Sequence, residues 1–270
     1  MNARSFLING LIAGLLGGLI AFVVAIGVGE PAIDDAIAVE EAAAAPADTA
    51  VHDHDHDETE EGAAHSHSHG DEEGGITRGQ QAGPGLATAT VLVGAVLGGL
   101  VGIASAFAAG RFGRLSPVAT TALVTAVGFV AVVLAPWLKY PPNPPATGSG
   151  DTIGERTALY FGFLAISILA VVAAIIVARQ VLAGRSAWLA TAVGGAVYLA
   201  VVGVAFAVMA PIDEVPSSFP ANTLFEFRVG SLITQAALWL VLGVVLTGLV
   251  NRAWNRDVDD LARRDAAAAL

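Results

Sequence analysis

Residues 86–109 read LATATVLVGAVLGGLVGIASAFAA, and this stretch decides the fold. It contains no charged side chain, and it is as long as the ~20-residue helix that crosses the hydrocarbon core of a bilayer. Because no water there satisfies backbone polar groups, such a segment must be helical. The stretch therefore predicts a transmembrane helix rather than the core of a soluble domain.

The rest of the chain has the same character, since it is 55% hydrophobic and only 14% charged. It has no cysteine, which excludes disulfides and thiolate metal sites. Five further apolar runs predict spans at about 6–28, 117–138, 157–178, 187–209 and 229–250. We therefore expect an all-α, polytopic membrane protein with six transmembrane helices. The chain divides into a first helix (1–29), a disordered acidic loop (30–85), a five-helix region (86–250) and a tail (251–270).

Glycines recur every four residues in the first two spans, at Gly10, Gly14, Gly18 and at Gly94, Gly98, Gly102. This small-xxx-small spacing lets helix backbones approach closely, so it predicts a helix–helix interface on each span. The first span also resembles a signal peptide, because Arg4 precedes an apolar run. Its run is longer than the usual signal core of about 7–15 residues, which favours a retained helix.

The positive charges predict the orientation. With the N-terminus inside, the inner segments hold nine of the 13 Lys and Arg residues and the outer segments hold four. The inner set is Arg4, Arg111, Arg114, Arg179, Arg185, Arg252, Arg256, Arg263 and Arg264; the outer set is Arg78, Lys139, Arg156 and Arg228. We therefore expect both termini to be cytoplasmic, in a cell (inner) membrane, with residues 30–85 outside.

That outer loop carries all six histidines of the chain and 15 of its 24 acidic residues. The candidate metal ligands are His52, Asp53, His54, Asp55, His56 and Asp57, followed by His65, His67 and His69. Imidazole suits divalent transition metals such as Co, Ni and Zn, and a short His-rich tract is typical of metal binding. Acidic segments with Ser and Gly are also typical of disordered, solvated linkers, so both interpretations stay open.

Two stretches later in the chain resemble each other. Ala135-Pro136 and Ala210-Pro211 end the third and fifth spans, and Glu155-Arg156 and Glu226-Phe227-Arg228 precede the fourth and sixth. Both hairpins would enter from the same side, which predicts three hairpins with a parallel internal repeat.

Three carboxylates, Asp151, Glu155 and Glu226, lie near the predicted outer ends of the fourth and sixth spans. They are candidates for the mouth of a cation pathway. The alternative is that they cap helices, because carboxylates near helix N-termini are favoured by the helix dipole. The inner parts of the spans contain none of the ionisable residues that usually mark an ion path.

Three motifs carry a resemblance to a known family. These are APWLKYPPNPP at 135–145, DTIGERT at 151–157 and FPANTLFEFR at 219–228, beside the Gly-rich first span and the acidic His loop. Together they resemble the CbtA family of predicted cobalt transporter subunits. The resemblance implies cobalt uptake linked to cobalamin synthesis, beside a small single-span, His-bearing partner, CbtB. The family is usually described with five spans, whereas this chain predicts six.

The residues alone do not select cobalt, because imidazole sites bind Ni and Cu at least as well. We expect a divalent metal uptake subunit that captures the ion in the His loop; the alternative is a membrane-anchored metal sensor or buffer. The chain has no His-x-x-x-His pair on a span, no Gly-x-Ser-x-Gly motif and no P-loop, so no enzyme is expected. The expected partners are the CbtB-like subunit and membrane lipid, without nucleic acid; whether the chain forms oligomers stays open.

Overall fold

A computed structural model describes residues 2–44, 77–112, 115–145 and 147–269. Within these ranges the regular structure is helical, and strands are absent. The α-helices are α1 (Ala3–Val24), α2 (Glu30–Ala44), α3 (Arg78–Gln80), α4 (Leu86–Ala108), α5 (Pro117–Phe129), α6 (Ala135–Lys139), α7 (Ile153–Leu182), α8 (Ala187–Val208) and α9 (Ala221–Ala268). In the described residues they form six continuous rods that are long and apolar enough to cross a membrane. The prediction of six helical spans is confirmed.

The glycine faces of α1 and α4 pack against each other, and the order of their contacts is antiparallel. A Cβ atom built on Gly10 would collide with the backbone of Gly98 and Gly102, and one built on Gly14 with Gly94 and Gly98. Only residues without a side chain allow this backbone approach. The predicted glycine interfaces are therefore confirmed, and the structure adds that they are two sides of one contact.

Helix α9 is the central element, because it packs against α1 on one side and α5 on the other. Leu238, Leu242, Leu246 and Val250 are buried at four-residue spacing along it. Residues four apart lie on one helical face, so this stripe forms a continuous apolar seam. Phe6 of α1 completes the same cluster.

Three rods contain a proline in or directly after a π-helical turn. The turns Ala25–Gly29 and Val130–Leu134 lie directly before Glu30-Pro31 and Ala135-Pro136, and the turn Gln81–Gly85 contains Pro84. Proline lacks an N–H and clashes with the preceding turn of an α-helix, and a wider turn relieves the clash. The first rod therefore continues beyond its predicted end at residue 28, whereas the third passes Pro136 and ends at Lys139, within one residue of its predicted end.

The wide turn before Pro136 also sets up a contact between helices. In its register the N–H of Ala135 bonds to Val130, and the next residue, Pro136, has no N–H for the carbonyl of Ala131. The hydroxyl of Ser167 on α7 donates to that carbonyl at 2.8 Å. Tyr198 of α8 lies 3.0 Å from the same hydroxyl, so three rods meet at one polar point.

The helices extend beyond several predicted boundaries. Residues 30–44 and 78–85, which the sequence analysis placed in a disordered outer loop, are helical and extend the first and second rods. Helix α9 runs into the predicted tail as far as Ala268. The fifth rod ends at Val208, before Ala210-Pro211, whereas the third continues past Ala135-Pro136. The division into domains, the three-hairpin pairing and the internal repeat remain predictions. The central part of the loop, 45–76, lies outside the described residues.

A candidate functional site between the proline-rich loops

The two proline-containing loops lie at the same end of the bundle. We call this end the loop face and define it by residues 139–152 and 209–220. Lys139 donates from Nζ to the carbonyls of Phe206 and Met209, at 2.9 and 2.8 Å, and so satisfies the carbonyls at the end of α8. Tyr140 donates its hydroxyl to the carbonyl of Ala210 at 2.8 Å. Burial raises the pKa of Tyr140 above its usual value, which keeps the phenol protonated as this bond requires.

An arginine at the start of α7 reaches the second loop. Arg156 Nε lies 3.1 Å from a carboxylate oxygen of Glu214, an ion pair whose alignment does not meet hydrogen-bond geometry. Its Nη2 donates to the carbonyl of Ser149 at 3.1 Å. Gly148, at φ +89°, packs on this pair, since a Cβ there would lie 2.7 Å from Glu214 Oε2. The charge of Arg156 is therefore neutralised locally.

The arginine near the start of α9 reaches the first loop instead. Arg228 Nη2 donates to the side-chain oxygen of Asn143 at 2.9 Å, and its Nε donates to the carbonyl of Pro142 at 3.4 Å. Both acceptors are neutral. Among the described residues, no carboxylate forms a salt bridge with Arg228.

Between these anchors lies a cavity of ≈ 470 Å³. We call it the vestibule. It is lined by Leu97, Val132, Val133, Trp137, Tyr140, Pro141, Pro142, Asn143, Thr147, Arg156, Tyr160, Ile212, Arg228, Ser231, Gln235 and Trp239. Its volume is in the range typical of sites for small molecules. The described lining contains neither a carboxylate nor a histidine.

The polar wall of the vestibule comes from one face of α9. Arg228, Ser231, Gln235 and Trp239 follow each other at intervals of three, four and four residues and all line the cavity. This spacing places them on a single stripe of the helix. The stripe runs from a charged residue near the loop face to a buried aromatic residue about three turns deeper.

Two tryptophans that line the vestibule carry unsatisfied donors. The Nε1 atoms of Trp137 and Trp239 are buried, and neither has an acceptor in the described part of the chain. Trp239 is only 4% exposed and packs against Phe129 with ring centroids 6.2 Å apart. Buried donors without partners are uncommon and call for an explanation.

The ends of the histidine-bearing segment also belong to the loop face. Arg78 donates to Glu30 and, at 2.9 Å, to Asp34, which ties the start of the second rod to the first turns of α2. Further along α2, Glu40 and Ala43 face Gly148 and Phe219 across a shallow depression. The segment 45–76 therefore begins beside the proline-rich loops.

The residues predicted as sites fall into two groups. The nine predicted metal ligands, from His52 to His69, lie outside the described residues. Asp151, Glu155 and Glu226 are exposed, and none of them lines the vestibule. Over the described ranges, no group of three His, Cys, Asp or Glu side chains is close enough to hold a metal ion.

The sequence analysis missed the role of Arg228, which it used only as an outer positive charge and as part of a motif before the sixth span. The roles of Ser231 and Gln235 were not predicted either. The signal that finds the stripe is the 3-4-4 spacing from Arg228 to Trp239, read as one helical face.

A family model now adds to this geometry. The model for CbtA, described as a probable cobalt transporter subunit, matches residues 3–251. The chain belongs to the CbtA family. The matched range includes both proline-rich loops and the whole α9 stripe, so the vestibule lies in the part of the chain that the CbtA family shares. No curated protein and no solved structure matched the chain.

Membership of the CbtA family and the fold together define the class of this protein. Six apolar rods and a transporter family make this a multi-pass membrane protein with cobalt as the expected cargo. A transporter subunit is not an enzyme class, and the word subunit implies a partner.

Proposed function

We propose that this protein is the membrane subunit of a divalent metal uptake transporter, with cobalt as its cargo and the His-rich loop as its capture device. The observation that carries the proposal is the vestibule, a cavity with one polar wall that is lined by loop-face residues and follows α9 into an apolar bundle. The family supports cobalt as the cargo. Nickel and zinc would bind the same imidazoles, so selectivity would have to come from the bundle or the partner.

The loop face is the outer face in this proposal. Of the four positive charges assigned outside, Lys139, Arg156 and Arg228 contact residues of the loop face. The fourth, Arg78, pairs with Glu30 and Asp34 of α2. The remaining nine positive charges would lie in the cytoplasm, with both termini, as the positive-inside rule favours. The membrane is then the cell (inner) membrane of the producing organism.

Capture by the loop would raise the metal concentration beside the vestibule. The six imidazoles and the intervening Asp53, Asp55 and Asp57 attract a divalent cation, and the loop begins next to the proline-rich segments. Metal binds neutral imidazole, whose ordinary pKa is about 6.5, so capture should weaken as the pH falls below that value. A CbtB-like single-span subunit is the proposed partner.

The test is cobalt uptake at limiting metal in cells that produce this chain with the partner. We expect replacement of all six histidines by Asn to raise the apparent KM several-fold and leave the maximal rate nearly unchanged. Replacement of Ser66 and Ser68 by Ala is the matched control, because it changes the same loop without removing a ligand. Unchanged uptake at limiting cobalt in the histidine variant would remove the loop from the mechanism.

A membrane-anchored metal sensor or buffer is the second candidate. It is favoured by the absence of a three-ligand metal cluster in the described ranges. Metal flux into vesicles separates the two candidates. Flux that appears only when the partner is present supports the transporter, whereas binding without flux supports the sensor or buffer.

A further inference from the structure

The vestibule has the wrong charge for a bare metal cation. Its described lining offers two guanidinium groups and no carboxylate or imidazole. Glu214 neutralises Arg156, but Arg228 has only neutral acceptors. A hydrated divalent cation entering this space would be repelled by Arg228 and would find neither a carboxylate nor an imidazole to replace its water.

The unsatisfied groups of the vestibule are donors. Arg228 uses Nε and Nη2 for the first loop, which leaves Nη1 without an acceptor in the described residues. The Nε1 groups of Trp137 and Trp239 also lack acceptors, but both atoms are buried and have no surface open to the cavity. Gln235 lies between Arg228 and Trp239 on the α9 stripe, lines the cavity and carries an amide donor. An unpaired guanidinium N–H and an amide donor on one wall of a cavity fit a ligand rich in oxygen acceptors.

An anchoring role does not account for all of these features. Holding the first loop requires only the two bonds from Arg228 to Pro142 and Asn143. It requires neither a cavity of ≈ 470 Å³ nor a guanidinium N–H group left unpaired beside that cavity. A guanidinium with free N–H groups is the side chain best suited to bind a carboxylate.

We propose that the vestibule binds carboxylate groups, and that the metal enters it as an anionic chelate with a small polycarboxylate rather than as a hydrated cation. This inference rests on the proposed transport function and names the form of its cargo. Arg228 and Gln235 would bind the carboxylate oxygens, and the chelator would supply the carboxylate ligands that the described lining lacks. The metal keeps its oxidation state and no covalent bond changes.

Calorimetry on the purified full-length chain in lipid nanodiscs tests the inference, with three probes. These are cobalt chloride, citrate, and the equimolar cobalt–citrate complex. We expect citrate and the complex to compete for one site. Arg228→Gln should weaken both by about tenfold to a hundredfold, the usual effect of losing a charge-assisted hydrogen bond. Arg252→Gln, which removes an equal charge far from the vestibule in sequence and outside its lining, is the matched control.

Because Arg228 also holds the first loop, a second variant keeps the test decisive if Arg228→Gln misfolds. The substitution Gln235→Glu keeps nearly the same side-chain shape and leaves the bonds of Arg228 to the loop intact. It adds a negative charge to the α9 stripe. It should weaken binding of citrate and of the complex while Arg252→Gln does not. Unchanged binding in Gln235→Glu would overturn the inference.

Two other results would also overturn it. One is that free citrate binds whereas the cobalt–citrate complex does not. The other is that cobalt chloride binds to the chain with all six histidines replaced by Asn at least as tightly as the complex does. The second result would leave the proposed transport function intact, because it changes only the form of the cargo. Conversely, carboxylate binding without any metal flux into vesicles would refute transport and leave the binding site established.

Discussion

The contact between α1 and α4 gives the sharpest stability prediction, through the substitution Gly14→Ala. A Cβ atom at this position would overlap the carbonyl oxygen of Gly94, and it would lie 2.8 Å from the carbonyl carbon of Gly94 and 3.0 Å from the Cα of Gly98. Carbon atoms in contact prefer about 3.5–4.0 Å, and the overlap with the oxygen is worse still, so the two backbones must separate by at least about 1 Å. Both neighbours are backbone atoms and cannot rotate away, unlike a side chain.

The expected loss of stability follows from two opposing effects. Alanine is intrinsically better than glycine in a helix by about 1 kcal/mol. Overpacking of a close contact costs about 1–3 kcal/mol, and separation of the helices also weakens the contact at the other glycines. We expect Gly14→Ala to lower the free energy of unfolding by about 1–2 kcal/mol and the Tm in detergent by several degrees.

The matched control is Gly195→Ala on α8, where a new Cβ would meet nothing within 4 Å. This variant keeps the propensity gain without the collision, so its Tm should equal or slightly exceed that of the parent chain. Thermal unfolding followed by tryptophan fluorescence measures both. Equal Tm values for Gly14→Ala and Gly195→Ala would refute the close backbone contact of α1 and α4.

Two further substitutions test individual hydrogen bonds. Ser167→Ala should lower the free energy of unfolding by about 1–2 kcal/mol, because it leaves the carbonyl of Ala131 without a donor. The control is Thr191→Ala, since the hydroxyl of Thr191 bonds only within its own helix. In thermal unfolding, the control should lose less than half as much stability. Lys139→Met should expose the end of α8 to faster amide hydrogen exchange after Phe206, because it removes two donors from the last carbonyls, and protection equal to that of the parent chain would contradict this.

Most of the fold follows from the sequence because a bilayer leaves few alternatives. A long apolar run without charge must be a helix, so the six rods were predictable from composition and length alone. The glycine spacing predicted close helix contacts, but spacing on one helix does not name the partner. Gly14 and Gly98 meet because the two rods run antiparallel, and this is visible only in three dimensions.

The helix boundaries were harder to predict because local signals there conflict. Pro31 and Pro136 ordinarily end a helix, yet each is preceded by a π-helical turn that lets the rod continue. Sequence periodicity does not reveal such a turn, since it inserts one residue into an otherwise regular pattern. The charged segment 30–44 reads as a loop, but it extends a rod that has already formed, so it avoids the cost of nucleating a new helix.

The candidate site was predictable in part. The proline-rich loops and Arg228 stood out in the sequence, whereas the vestibule depends on which loop each arginine reaches. Arg156 reaches the second loop and Arg228 the first, and this crossed arrangement cannot be derived from residue spacing. The exposed carboxylates Glu155 and Glu226 attracted attention because ion paths usually contain such groups. The described lining instead has donors.

The wide turn before Pro136 links the packing of the helices to the shape of the vestibule. One inserted residue rotates everything after it by about 100°, which changes the face presented by the last turn of the third rod. In that rotated frame Trp137 lines the vestibule, Lys139 reaches the end of α8, and Tyr140 reaches the second loop. The carbonyl that the proline leaves unpaired is satisfied by Ser167 on α7, which holds the turn in place. A single proline thus determines both the wall of the cavity and the packing of the helices around it, so Ser167→Ala should weaken ligand binding in the vestibule although Ser167 does not line it.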